Sequence, residues 1–164
     1  MGDLQSLVEG LESSDNEHAY QCLKWLEDES KRSAAVYSYF DVFVELLDRP
    51  NSYIRARVII LIAANARWDG RNRIDEIIDL YVKHIQDDSP VTARQCIKAL
   101  PSIVEYKPDL RAYVVNALYN ADPMRYKESM QPLIAKDIQK TLEMINKLQS
   151  VQRQRPQQSG RDDP

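Results

Sequence analysis

The sequence predicts an all-α fold of stacked helical hairpins, and three observations carry that reading. Ser52 to Ala66, SYIRARVIILIAANA, is too apolar on every side for a surface helix and is bounded by Pro50 and Gly70, so it reads as a buried middle helix. Its register is echoed on both sides, because Ala19, Ala56 and Ala93 stand 37 residues apart and so do Tyr20, Arg57 and Arg94. The outer copies share text: QCLKWL at 21–26 and QCIKAL at 95–100, a run that holds both cysteines. Self-similarity at a fixed period is the signature of a repeat architecture. Composition agrees, with 4 Gly in 164 residues and little β-branched alternation.

In chain order, Asp3 to Ser13 carries Leu4, Leu7, Val8 and Leu11 at helical spacing, and Ser14 or Asp15 can cap Asn16 to Glu29, whose stripe is Ala19, Cys22, Leu23 and Leu26. Ser33 caps Ala34 to Leu47, with Val36, Tyr39, Phe40, Phe43 and Leu47 on one face. Pro50 breaks that helix, and the middle helix follows with Ile54, Ala56, Ile59, Ile60 and Ala63 toward the core. A turn at Arg67-Trp-Asp-Gly-Arg-Asn leads to an outer helix of Ile74, Ile77, Ile78, Tyr81, Val82 and Ile85. Asp87-Asp-Ser-Pro caps Val91 to Tyr106, and Pro101 is expected to kink that helix or end it early. Pro108 opens a helix with Leu110, Val114, Ala117 and Leu118. The last helix begins after Ala121-Asp-Pro, is interrupted near Pro132, and continues through Leu133, Ile134, Ile138, Leu142, Ile145 and Leu148.

Four hairpins therefore stack as an α-solenoid, an α-α superhelix in which each pair covers the apolar faces of its neighbour. One solenoid domain spans residues 1–148. The polar remainder, 149–164, has a single apolar residue and cannot repay its ordering entropy, so it is expected to be a disordered tail.

Charge and cysteine usage narrow the function classes. Net charge is −3, but residues 1–50 hold eleven acids against four bases, whereas the rest of the chain is slightly basic. An acidic amino-terminal third disfavours nucleic-acid binding along the whole length, which needs a continuous basic surface. No run approaches the roughly 18 apolar residues of a membrane span. MGDLQSLVEG has an acid where a signal peptide has bases. Cys22 and Cys96 sit two repeats apart, on the order of 20 Å if stacked helices lie 8–10 Å from each other, too far to pair. They read as core residues of a reduced, cytoplasmic protein.

Leu47-Asp48 followed by Tyr53-Ile-Arg-Ala56, and Ile85-Gln-Asp-Asp-Ser-Pro-Val91-Thr-Ala93-Arg94, resemble the HEAT and HEAT-like (armadillo-type) repeat, in which an acid closes the outer helix and Val or Ile plus Arg opens the inner one. The resemblance covers roughly Asp15 to Leu148. It departs from the family in its short period and in Thr92, which stands where Arg55 stands one repeat earlier. The resemblance implies a non-catalytic protein-binding scaffold or adaptor. The family's enzymatic exceptions, the alkylpurine DNA glycosylases and the bilin lyases, supply the alternative, a nucleic-acid-binding or base-excising protein.

If the inner helices stack in parallel, one column crosses the concave face: Tyr20, Lys24 and Asp28, then Arg57, Leu61 and Asn65, then Arg94, Lys98 and Ser102. This strip is expected to bind an acidic segment of another protein, with Arg57 and Arg94 as carboxylate clamps and Tyr20 or Trp25 as an aromatic anchor. The competing reading is a structural ladder in which the two arginines tie down turn acids such as Asp48 and Asp88. Trp68-Asp-Gly-Arg71 is the second candidate: a stacking base pocket with an acid, or a plain turn in which Trp68 packs over the hairpin and Gly70 supplies positive φ. His18 and His84 have no ligand-spaced neighbours, and the sequence holds no phosphate loop, nucleophile triad or carboxylate dyad, so neither metal, cofactor nor small-molecule substrate is expected.

Overall fold

The computed structural model describes residues 3–154, and among them every regular element is helical. Eight α-helices follow in order: α1 Leu4–Gly10, α2 Asn16–Arg32, α3 Phe40–Leu46, α4 Ser52–Ala64, α5 Arg73–Val82, α6 Pro90–Tyr106, α7 Arg111–Tyr119 and α8 Gln131–Gln154. Short 3-10 turns precede α3, follow α4 and α5, and flank α7. No helix among the described residues is long and apolar enough to cross a membrane.

The caps explain the starts. Asp3 accepts from Ser6 N, Asp15 from Glu17 N and His18 N, Asn51 from Tyr53 N, and Ser89 from Thr92 N with Pro90 in the first turn. Positive φ at the turn after α4 belongs to Asn72, at 58°, and not to Gly70.

The even-numbered helices form a row, α2 against α4, α4 against α6, α6 against α8, with α1, α3, the end of α5 and α7 packed along it. Long-range hydrogen bonds join like ends: Thr92 Oγ1 donates to Ser52 O between helix starts, and Asn65 Nδ2 to Ser30 Oγ between helix ends. The row's helices therefore run in one direction. Along them one buried pattern recurs, namely Ala19-Cys22-Leu23-Leu26, Val58-Leu61-Ile62-Asn65 and Ala93-Cys96-Ile97-Leu100.

That pattern corrects the even spacing. Ala19 and Ala93 are fully buried, but Ala56 is only half-buried, and Val58 takes the equivalent place in α4. Ile60, expected in the core, is half-buried as well. The cause is α4 itself: apolar on all sides, it offers no polar stripe to pin its rotation, and packing decides.

Pro101 does not end its helix early, and Pro132 does not interrupt its own. Pro101 lies inside α6, which continues to Tyr106. A proline has no N–H for the carbonyl four residues back, and Ile97 O receives Thr141 Oγ1 of α8 instead, at 3.0 Å. Pro132 does not interrupt α8 but sits in its first turn, where no donor is lost. Helix α8 runs on to Gln154, past Gln149, where the disordered tail was expected to begin; residues 155–164 of that tail lie outside the described residues.

Candidate partner-binding face

Three hollows open on the row, each lined only by even-numbered helices. One, of about 390 Å³, spans α2, α4 and α6 with Tyr20, Lys24, Ile60, Ala64, Lys98 and Ser102. A second, of about 340 Å³, lies between α6 and α8 with Arg94, Lys98, Leu133, Lys136, Lys140 and Met144. A third, of about 300 Å³, continues along the same two helices with Pro101, Ser102, Glu105, Met144, Lys147 and Leu148. Lys98 belongs to the first two, Ser102 to the first and third, Met144 to the last two. The hollows thus form one connected surface on the side of the row left bare by the outer helices.

Tyr20, Lys24 and Lys98 are on this face, as the strip expected. Lys24 lies 5.8 Å over the Tyr20 ring and pairs with Glu27 at 3.3 Å, so it is partly neutralised within α2. Trp25 is exposed (46%), but none of the hollows includes it.

The middle of the strip is not there. Leu61 and Asn65 are fully enclosed, and Asn65 Nδ2 is held by Ser30 Oγ and Leu61 O. Arg57 is buried too: it donates to Leu11 O at 2.8 Å and Asn16 Oδ1 at 3.0 Å, stapling the α1–α2 connection to α4, and burial lowers its pKa. The two-residue slip of α4 moves these three side chains inward and brings Ile60 and Ala64 outward in their place. Arg94 lines the α6–α8 hollow while its Nε donates to Asp137 Oδ2 at 2.6 Å. Neither arginine meets Asp48 or Asp88; the ladder contains Arg55 instead, paired with buried Asp87 at 2.6 Å.

The Trp68 turn is built inward. Trp68 Nε1 donates to Ser30 O at 2.7 Å. Asp69 is buried and accepts from Tyr37 Oη, Arg73 N and Ile74 N, with Lys107 Nζ 3.1 Å away. Burial alone would raise the Asp69 pKa, but these bonds outweigh it and hold it below the usual carboxylate value, while burial and the Asp69 hydrogen bond push Tyr37 up to about 12. Every donor around Asp69 is already structural, so the carboxylate presents no free lone pair aimed at a base.

Searches of known proteins do not extend these observations: no family model matches the chain, and neither a curated protein nor a solved structure does.

Sequence reasoning missed the α8 side of the face. Leu133, Lys136, Lys140, Met144 and Lys147 recur at helical spacing on one side of α8. That signal was legible, but α8 shares no text with α2 or α6, so nothing aligned it with Lys98. A larger cleft, about 790 Å³, lies elsewhere, between α7 and α8, with Val115, Leu118, Ile138 and Leu142 lining it and Arg111 and Glu143 beside them. Among the described residues no group of three or more His, Cys, Asp or Glu is placed to hold a metal ion.

Proposed function

We propose that the chain is a non-catalytic, cytoplasmic scaffold, a short HEAT-like α-solenoid that holds an acidic segment of another protein along the bare side of its row of inner helices. The observation that carries this is the charge on the connected hollows. They take in Lys24, Arg94, Lys98, Lys136, Lys140 and Lys147 against few acids, in a chain whose net charge is −3. Charge is concentrated there against the sign of the whole molecule, which is what electrostatic steering of an acidic partner needs. Ile60, Leu133 and Met144 add apolar contact between the lysines. The two free, buried cysteines are in keeping with a reducing compartment.

The test is binding of fluorescent degenerate peptides rich in Asp and Glu, followed by anisotropy, with Lys24→Glu/Lys98→Glu as the disabled variant. Both lysines are exposed, so the variant is expected to keep its melting temperature within a few degrees. It should lose at least tenfold in affinity. Unchanged affinity in a folded double variant ends this reading, and tighter binding of duplex DNA than of the peptides, falling steeply with salt, replaces it with the nucleic-acid one.

A further inference from the structure

Resting on that acidic-segment reading, we infer that the hollow between α6 and α8 is a phosphate-monoester site, which takes a phosphorylated serine or threonine of the bound segment. Four bases line this one space of about 340 Å³: Arg94 and Lys98 from α6, Lys136 and Lys140 from α8. Their charge is largely unanswered. Asp137, in the same lining, is taken by Arg94, through Nε at 2.6 Å and one terminal nitrogen at 3.4 Å, which leaves the other terminal nitrogen without a protein acceptor among the described residues. Among the described residues Lys98, Lys136 and Lys140 have no carboxylate within ion-pair distance, and the lysines that do pair are Lys24, Lys31 and Lys107.

A single carboxylate is a poor match for three free ammonium groups and a spare guanidinium N–H. It carries one negative charge on two oxygens. A phosphate monoester carries about −1.5 to −2 at neutral pH and three strong acceptor oxygens, and lysines serve it as mobile point charges. Size fits a side chain better than a polymer, since the hollow is at the small end of ligand sites, roughly 300–1,000 Å³. Leu133 and Met144, 40% and 52% exposed, flank the charge and suit the residues on either side of a phosphorylated one. A nucleic-acid strand would want bases stacked on aromatic rings along a continuous basic track. The hollow has no aromatic lining, and Glu27 and Glu105 interrupt the track on either side.

The experiment compares three degenerate acidic peptide pools that differ only in the fixed central residue: phosphoserine, glutamate or serine. Anisotropy should give at least tenfold tighter binding for phosphoserine than for glutamate, and Lys136→Gln/Lys140→Gln should bring that ratio near one. Equal binding of the phosphoserine and glutamate pools overturns the phosphate site and leaves the acidic-segment reading standing. No binding of any pool overturns both, and a preference that survives the double variant overturns the location. Phosphoinositide-containing vesicles or duplex DNA binding more tightly than the phosphoserine pool overturns the choice of a phosphopeptide. Independently of any variant, phenyl phosphate titrated into the ¹⁵N-labelled protein should move amides around 94–98 and 136–140, and benzoate should not; shifts confined to other helices sink the proposal.

Discussion

Asp87 shows how much of this fold hangs on single buried charges. Its carboxylate accepts two bonds from Arg55, at 2.9 and 2.6 Å, one from His84 Nδ1 at 2.7 Å and one from Ser89 N at 2.9 Å. Burial would raise its pKa, yet the bonds from His84, Arg55 and Ser89 prevail and hold it well below the usual carboxylate range. Removing the acid strands a guanidinium in a nearly closed site, so Asp87→Ala should cost about 3–5 kcal/mol, measured as the shift in urea midpoint. The pH dependence follows from the sign. Asp69 and Asp87 both titrate lower in the folded chain than in the unfolded one. The stability they confer is complete above the ordinary value of about 3.9 and drains away as pH falls below it. The melting temperature should hold down to about pH 4 and then fall progressively toward pH 2, and Asp87→Asn should start lower and drop less. A steric prediction sits at Gly10, where an added Cβ would run into Cys22 Sγ. Gly10→Ala is expected to lose about 1–3 kcal/mol, and Cys22→Ala in the same chain to recover most of it, read by thermal melts.

At the level of the helix, the bond from Thr141 to Ile97 O turns a defect of α6 into a link to α8. Pro101 leaves the Ile97 carbonyl without its own helical partner, and the hydroxyl reaches it from α8. Thr141→Val should therefore destabilise by about 1–2 kcal/mol, because a buried acceptor is left unsatisfied. In a Pro101→Ala background, where the helix can supply the N–H, the same substitution should cost measurably less. A double-mutant cycle in urea gives the coupling directly; strictly additive effects would mean that the proline and the hydroxyl are unrelated.

For the molecule as a whole, the ends of the row are unequal. Helix α8 gives α6 the buried Ile134, Asp137, Thr141 and Ile145, whereas α1 contributes Val8 and, with the following residue Leu11, one wall of α2. A chain ending at Met130 should expose the α6 face, free Arg94 and melt far earlier or aggregate. A chain lacking residues 1–10 should lose less, since α4 and α6 keep their neighbours on both sides. Urea unfolding of the two truncations checks the order.

Much of the fold could be read from the letters, because helix periodicity is a local property. The buried stripes of α2, α5 and α6, the Asp15 cap and the bare-face positions of Tyr20, Lys24 and Lys98 all follow from spacing within a single helix, whereas the α6 cap is Ser89 and not the Asp87-Asp88 pair, whose first member is taken by Arg55 and His84. What lay outside its reach was how neighbouring helices are turned against each other. In α4 apolar residues surround the axis, so no letter marks the side that must be wet, and equal counting placed Arg57, Leu61 and Asn65 on a surface they do not reach. Packing then sets α4 two residues out of the even count, and one arginine becomes an internal staple while its counterpart at 94 stays at the rim of a hollow. Composition and periodicity by themselves determined that helices form and which of their faces close against others. Only the tertiary packing decided which charges remain for a partner, because that depends on contacts between segments some forty residues apart, whose energies no single window of sequence contains.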